Sequence, residues 1–173
     1  EPLDNEIEVT YLLPAPAAPI VRRYSMGAHT RRNIAVHLEP GLENVEVSAI
    51  IRTPNGKPGI VERAMYLATG DLFYGAGHES TGIRRPESQW FFAEGATGGF
   101  FDLFVLLGNP QDQAAHVTAT YLFDDGSTCS MPVGNALQAG VPVLAPKSRH
   151  NIWVDLEVVP SCPRSLADVA VST

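Results

Sequence analysis

A chain of 173 residues, 45% hydrophobic and only 18% charged, can bury one large β domain or two small ones, which excludes a disordered segment. A net charge of -7 disfavours nucleic acid or an anionic membrane as partner. The basic residues come in pairs, Arg22-Arg23, Arg31-Arg32 and Arg84-Arg85, and not in tracts. No run approaches the roughly 18 to 20 apolar residues of a membrane helix. The chain opens on Glu1-Pro2-Leu3-Asp4 with no initiator Met, so a processed product or an excerpt of a longer protein is expected.

In chain order, Ile7 to Leu13 alternates as a strand, with Ile7, Val9 and Tyr11 on one face, and Pro14-Ala15-Pro16 ends it. Ile20 to Tyr24 can pair back. Asn33 to Leu38 reads as a strand with Ile34, Val36 and Leu38 on one face, and Val45, Val47, Ala49 and Ile51 give another alternation. After the breaker-rich turn from Pro54 to Gly59, Ile60 to Leu67 is a fifth strand. Residues 68 to 89, with Gly70, Gly75, Gly77 and Gly82, read as a long connecting loop. Trp90 to Phe92 and Phe101 to Leu107 are apolar strands. Val117 to Phe123 leads into the hairpin signal Asp124-Asp125-Gly126-Ser127. Val141 to Leu144, Ile152 to Leu156 and Leu166 to Val171 close the series. No stretch keeps a 3.6-residue apolar period, so helix should be scarce.

The series contains a duplication. Thr30-Arg31-Arg32-Asn33-Ile34-Ala35-Val36-His37-Leu38-Glu39 returns as Ser148-Arg149-His150-Asn151-Ile152-Trp153-Val154-Asp155-Leu156-Glu157, with six of ten positions identical. Upstream, Val9-Thr10-Tyr11-Leu12 matches Ala119-Thr120-Tyr121-Leu122. Downstream, Val47 to Thr53 answers Asp168 to Thr173. Such repeats more often build extended surfaces than catalytic pockets. Equivalence predicts that Ile34, Val36 and Leu38 share the buried setting of Ile152, Val154 and Leu156. His37 against Asp155 marks a solvent-facing position, so His37→Asp should be tolerated. Copy two should lack its last strand and expose a sheet edge, and copy one should lack the region from Trp90 to Pro110.

The offset between copies is 110 at Tyr11/Tyr121, 118 at Asn33/Asn151 and 120 at Thr53/Thr173. Cys129 and Cys162 each fall where copy two is longer, which suggests a disulfide staple and an oxidising compartment. Two free buried thiols are the alternative. No CxxC accompanies them, which argues against zinc or thioredoxin-like chemistry.

The segments Val61-Glu62-Arg63-Ala64-Met65-Tyr66, Trp90-Phe91-Phe92-Ala93-Glu94-Gly95, Gly99-Phe100-Phe101-Asp102 and Leu106-Leu107-Gly108-Asn109-Pro110 resemble a tandem β-repeat family of bacterial secreted and surface proteins. In that family W-x-F-A-E-G, F-D-x-x-x-L-L-x-N-P and E-R-A-M-Y segments recur. The resemblance implies an exported, multi-modular protein of unassigned function, and brings no catalytic residues. The chain departs from the family in phase, starting in the middle of one module and ending in the middle of the next.

Candidate chemistry is thin. Gly95-Ala96-Thr97-Gly98-Gly99 lacks the Gly-Lys-Ser/Thr ending of a phosphate loop and reads as a turn or bulge. Asp124 to Thr128 lacks the alternate ligands and closing Glu of an EF-hand. His29, His37, His78, His116 and His150 do not fall at metal-ligand spacings. His78-Glu79-Ser80 gathers base, acid and nucleophile, but without a nucleophile elbow. Glu62 and Arg63 in an apolar strand, Glu94 at the end of another, and the repeated pairs Arg31/Asn33 and Arg149/Asn151 read as structural groups that fix strand register. Trp90, Phe91, Tyr74 and Trp153 could stack on sugar.

The expectation is an all-β, antiparallel β-sandwich of immunoglobulin/fibronectin-like type with two related halves. Residues 1–75 would form a partial repeat, 76–87 a connecting loop and 88–173 a second repeat. The expected role is a non-catalytic extracellular structural or adhesive repeat at the cell surface, without cofactor or metal, whose partners are copies of itself or adjacent modules. Strand complementation would let such subunits build filaments. A carbohydrate-binding module is the alternative.

Overall fold

The computed structural model describes residues 4–69, 72–93, 95–99, 101–168 and 170–172, with the side chains of 67–76, 168 and 170–172 left aside. Among these residues there is no α-helix. The strands are β1 (Asn5–Pro14), β2 (Ile20–Met26), β3 (Ser48–Arg52), β4 (Glu62–Thr69), β5 (Leu72–Thr81), β6 (Gly95–Ala96), β7 (Phe104–Asn109), β8 (Val117–Phe123), β9 (Thr128–Val133), β10 (Ala136–Gln138), β11 (Val141–Val143), β12 (Ser148–Trp153) and β13 (Ala170–Ser172). All pairings between named strands are antiparallel except that of β1 with β12. The fold is therefore all-β and sandwich-like.

Two apolar clusters form. In the first, Val9, Tyr11 and Leu13 of β1 pack with Tyr24 of β2 and with Leu42, and Ile34, Val36 and Val47 cover them. In the second, Tyr121 and Phe123 of β8 and Cys129 and Val133 of β9 face Ile152 of β12, Val154 and Leu166, with Val105 and Leu107 of β7 against them. Strand alternation produces this packing, since Val117, Ala119, Tyr121 and Phe123 all point inward while the residues between them are exposed.

The same pairing scheme occurs twice. β1 lies between β2 and β3, and β8 lies between β9 and β13. Leu12 pairs with Ser48, and Leu122 pairs with Ser172. The ladder thus equates Ser48 with Ser172, not Thr53 with Thr173, and corrects the sequence alignment by four residues. The buried pair Leu42 and Leu166 obeys the corrected register. A single 3-10 turn also recurs, at Val36–Leu38 and Val154–Leu156, each closed by the N–H of the following Glu on the Val carbonyl.

That turn overturns two strand readings. Asn33 to Leu38 is not a strand, and β12 stops at Trp153. The tighter winding swings the third residue outward, so Leu38 is 72% exposed and Leu156 65% exposed. The shared buried trio is thus a pair, fully buried in copy two and half-buried in copy one. In β3 the half-buried residues are Ser48 and Ile50, opposite in phase to the expected Ala49 and Ile51.

Residues 68–89 are not a loop throughout. β5 folds back on β4 with Tyr66 opposite Gly77, whose Cβ position lies 3.5 Å from the tyrosine ring. The ring covers the glycine, which is how a glycine-rich run stays in a strand. This hairpin pairs with no other strand among the described residues, and residues 62–66 are exposed. Trp90 to Phe92 is not a strand, and all three side chains are exposed. Residues Leu166–Asp168 form a third short 3-10 turn, leaving only β13 as strand. The strands β9 and β10 escaped the sequence reading.

The expected open edge of copy two is occupied by β6, whose Ala96 and Gly95 pair with Ala170 and Val171 of β13. In copy one β3 has no second neighbour among the described residues.

The two central tyrosines differ in one respect. The Tyr11 hydroxyl meets that of Tyr24 at 3.1 Å, whereas the fully buried Tyr121 hydroxyl has no partner among the described residues. Burial pushes the Tyr121 phenol up to about 12. Tyr121→Phe should therefore be neutral or stabilise by up to about 1 kcal/mol, while Tyr11→Phe should cost about 1 kcal/mol. Urea unfolding of the two variants checks the contrast.

Candidate functional site

The repeated Arg-x-Asn motif leads to the seam where strands from the two clusters join in one five-stranded sheet, ordered β2-β1-β12-β7 with β3 also on β1. β12 pairs with β7 along one side and with the end of β1 along the other, where Leu13 lies beside Ser148 and Pro14 beside Arg149 in parallel register. Alternation sends Ile152 into the core, so Arg149 and Asn151 project from the opposite face. Gly108 of β7 approaches closely, with its Cβ position 3.5 Å from Ser48 and 3.9 Å from Leu12. Leu12, on the face of β1 opposite Tyr11, is 2% exposed.

Glu46, just before β3, completes the contact. Its carboxylate accepts from Arg149 Nη1 at 2.6 Å and from Asn151 Nδ2 at 2.8 Å, and Arg149 Nη2 donates to Asn151 Oδ1. Three groups from two distant parts of the chain thus form a closed ring of hydrogen bonds. The Arg149 side chain is 3% exposed, whereas Glu46 is half in solvent. Burial lowers the guanidinium's pKa, the Glu46 carboxylate opposes that, and Arg63 of the hairpin adds repulsion. Arg149 Nε is buried without a partner among the described residues. Removing the carboxylate leaves a buried cation, so Glu46→Ala should cost about 2–3 kcal/mol. Denaturant unfolding measures it, and a loss below about 0.5 kcal/mol would place the contact among ordinary surface ion pairs.

In copy one Arg31 Nε donates to Asn33 Oδ1 at 3.2 Å, the same internal bond, but both residues are exposed and Arg31 meets no carboxylate among the described residues. Glu62 and Arg63 are exposed on β4 and make no ion pair among the described residues. Glu94 lies outside the described residues. Cys129 and Cys162 are bonded, with Cα atoms 4.9 Å apart.

Several residues that position this region gave no clear sequence signal. Asn109 is 3% exposed and donates to the carbonyls of Gln113, Leu144 and Ala145 while accepting from Gln111 N–H. Asn135 bonds Ser148 Oγ and the Arg149 carbonyl, anchoring β12 from behind. Asp155 accepts from the backbone N–H groups of Gly98 and Leu103 at 3.0 and 2.9 Å. It is therefore not a free solvent-facing residue, which corrects the reading drawn from His37. It holds a segment of the 95–103 region, to which nothing in copy one was matched. Only the Asn109-Pro110 pair in the repeat motif hinted at such a role.

The remaining candidates separate. His78 and Ser80 share one face of β5 and Glu79 the other, so they do not converge. Asp125 Oδ1 accepts from Ser127 N–H and Oγ, which fixes the 124–127 turn, while Asp124 and the second Asp125 oxygen face Arg164. Thr97 of the glycine-rich stretch is buried and donates to the Leu166 carbonyl, next to β6. Among the described residues no three His, Cys, Asp or Glu gather at a metal-sized site, and no helix is long and apolar enough to cross a membrane. Trp153 stacks at 5.1 Å on its cross-strand partner Phe104, both partly exposed, and donates to Asp102. The Tyr74 side chain lies outside the described residues.

No family model, no curated protein and no solved structure matches this chain.

Proposed function

We propose that the chain is a non-catalytic structural or adhesive repeat of an exported, cell-surface protein, in which copies of one β module are fixed end to end. The observation that carries this reading is the Glu46–Arg149–Asn151 ring, tying the two apolar clusters together across the β1–β12 seam at a motif that occurs in both copies. A buried arginine held by a residue 103 positions away in sequence constrains orientation, as a spacer or scaffold requires. The disulfide supports an extracellular setting, where such bonds persist. The resemblance to tandem repeats of bacterial surface proteins points the same way. Small-angle X-ray scattering is the test. The wild-type profile should fit one rigid body, and Glu46→Ala should broaden it toward two bodies moving independently. Equal flexibility in both chains would remove the joint from the account.

Phe104 and Trp153 support a second reading. Two adjacent exposed rings on one sheet, with Asp102 at their edge, form a face on which a sugar ring can stack. Titration with soluble oligosaccharides, read by tryptophan fluorescence against Trp153→Ala, decides it; saturable quenching lost in the variant supports carbohydrate binding, and no change rejects it.

A further inference from the structure

We infer that Arg31 and Asn33 form an acceptor for a second copy of this chain, and that the acidic turn Asp124-Asp125 is the donor that docks there. The inference rests on reading the Glu46–Arg149 contact as a joint between modules.

The joint inside the chain has a donor and an acceptor. The donor is the end of β1, where Pro14 lies beside Arg149, with Glu46 next to it. The acceptor is Arg149-x-Asn151 on β12. Copy one carries the same acceptor, Arg31-x-Asn33, with the same internal Arg-to-Asn bond. There it stands exposed, and residues 30–35 pair with no strand among the described residues. Its counterpart in copy two is covered on both sides and holds a carboxylate.

Copy two carries the matching donor. Tyr121 corresponds to Tyr11, so Asp124, one residue past β8, stands where Pro14 stands at the end of β1. Within the joint that position lies beside the arginine of the acceptor. The ladder places Ala170 at the position of Glu46, so copy two has no carboxylate there. Asp124 supplies one from the neighbouring position. Its side chain is 70% exposed and its carboxylate accepts from Arg164 Nη1 in an ion pair, Arg164 itself being 39% exposed. Docking adds the neighbouring copy's Arg31 to that pair or exchanges it for Arg164. Asp125 is 54% exposed beside it. On a chain of net charge -7, an exposed Arg31-Arg32 pair and an exposed Asp-Asp turn are complementary. Each copy would use its acceptor and its donor on opposite neighbours, so the contact is head-to-tail and need not close into a ring.

The experiment is sedimentation velocity of the intact, disulfide-bonded chain over a concentration series at low salt, with far-UV circular dichroism confirming the fold of each variant. Wild type should show an apparent mass rising with concentration, and added salt should reverse the rise. Arg31→Glu and Asp124→Arg should each stay monomeric when alone. Mixed in equal amounts they should associate again, because each donor then meets an acceptor of opposite charge. A strictly monomeric wild type, association untouched by Arg31→Glu, or a mixture that stays monomeric would overturn the inference. Such a result leaves the intramolecular joint standing, since scattering on Glu46→Ala reports that contact independently.

Discussion

Val154→Asp should abolish cooperative folding of the second apolar cluster, whereas Val36→Asp, the same change at the equivalent position, should cost only about 1–2 kcal/mol. Val154 is fully buried, and its N–H is tied to the Leu103 carbonyl at 2.9 Å. It packs in one cluster with Tyr121, Phe123, Ile152 and Leu166. An aspartate there would be buried among apolar side chains, and burying it costs more than about 4 kcal/mol. Most of the stability of a domain this size would be consumed. Val36 is only half-buried, so a carboxylate at that position can turn toward water. Near-UV circular dichroism and urea unfolding separate the two variants, and equal damage would mean that the two turns are equally buried in solution.

Replacing both Cys129 and Cys162 by alanine should lower stability by roughly 3–4 kcal/mol, the chain-entropy value for a loop of this length. The bond spans 33 residues and joins β9 to the 157–165 loop, which also meets the cluster through Val159 and through Arg164 over the Phe123 ring. Without the bond that loop loses its tether, and Leu166, 1% exposed beneath it, is the next group to loosen. The loss should appear as a lower urea midpoint and as faster amide exchange near residue 166. Thiol titration of the denatured, unreduced wild type should find no free thiol; two free thiols would contradict the staple.

The strand content was legible because β-branched and aromatic residues alternate with little ambiguity in β1, β2 and β8. The pairing of the cysteines was legible because both fall where the copies diverge in length. What could not be read was anything set by a tertiary partner. Residues 148–153 form a strand because β7 and the end of β1 flank them; the equivalent residues 30–35 lack both neighbours and stay unpaired. Related sequence, with the Arg, Asn and Ile kept, therefore takes two conformations. Glu46 carries no local mark of its role, since its partners lie 103 and 105 positions away. The glycine-rich β5 read as loop because cover by the Tyr66 ring is invisible to composition.

A charged ring couples the two apolar clusters across the β1–β12 seam, and a double-mutant cycle on Glu46 and Arg149 tests that coupling most directly. Glu46→Ala, Arg149→Met and the double variant are unfolded in urea, and the interaction energy is taken from the four stabilities. The account predicts a coupling of about 1.5–3 kcal/mol, with the double variant no less stable than Glu46→Ala alone, since replacing the buried cation removes the unpaired charge. Additivity within about 0.5 kcal/mol would contradict it, and would leave the two clusters joined by the β1–β12 backbone pairing and packing alone.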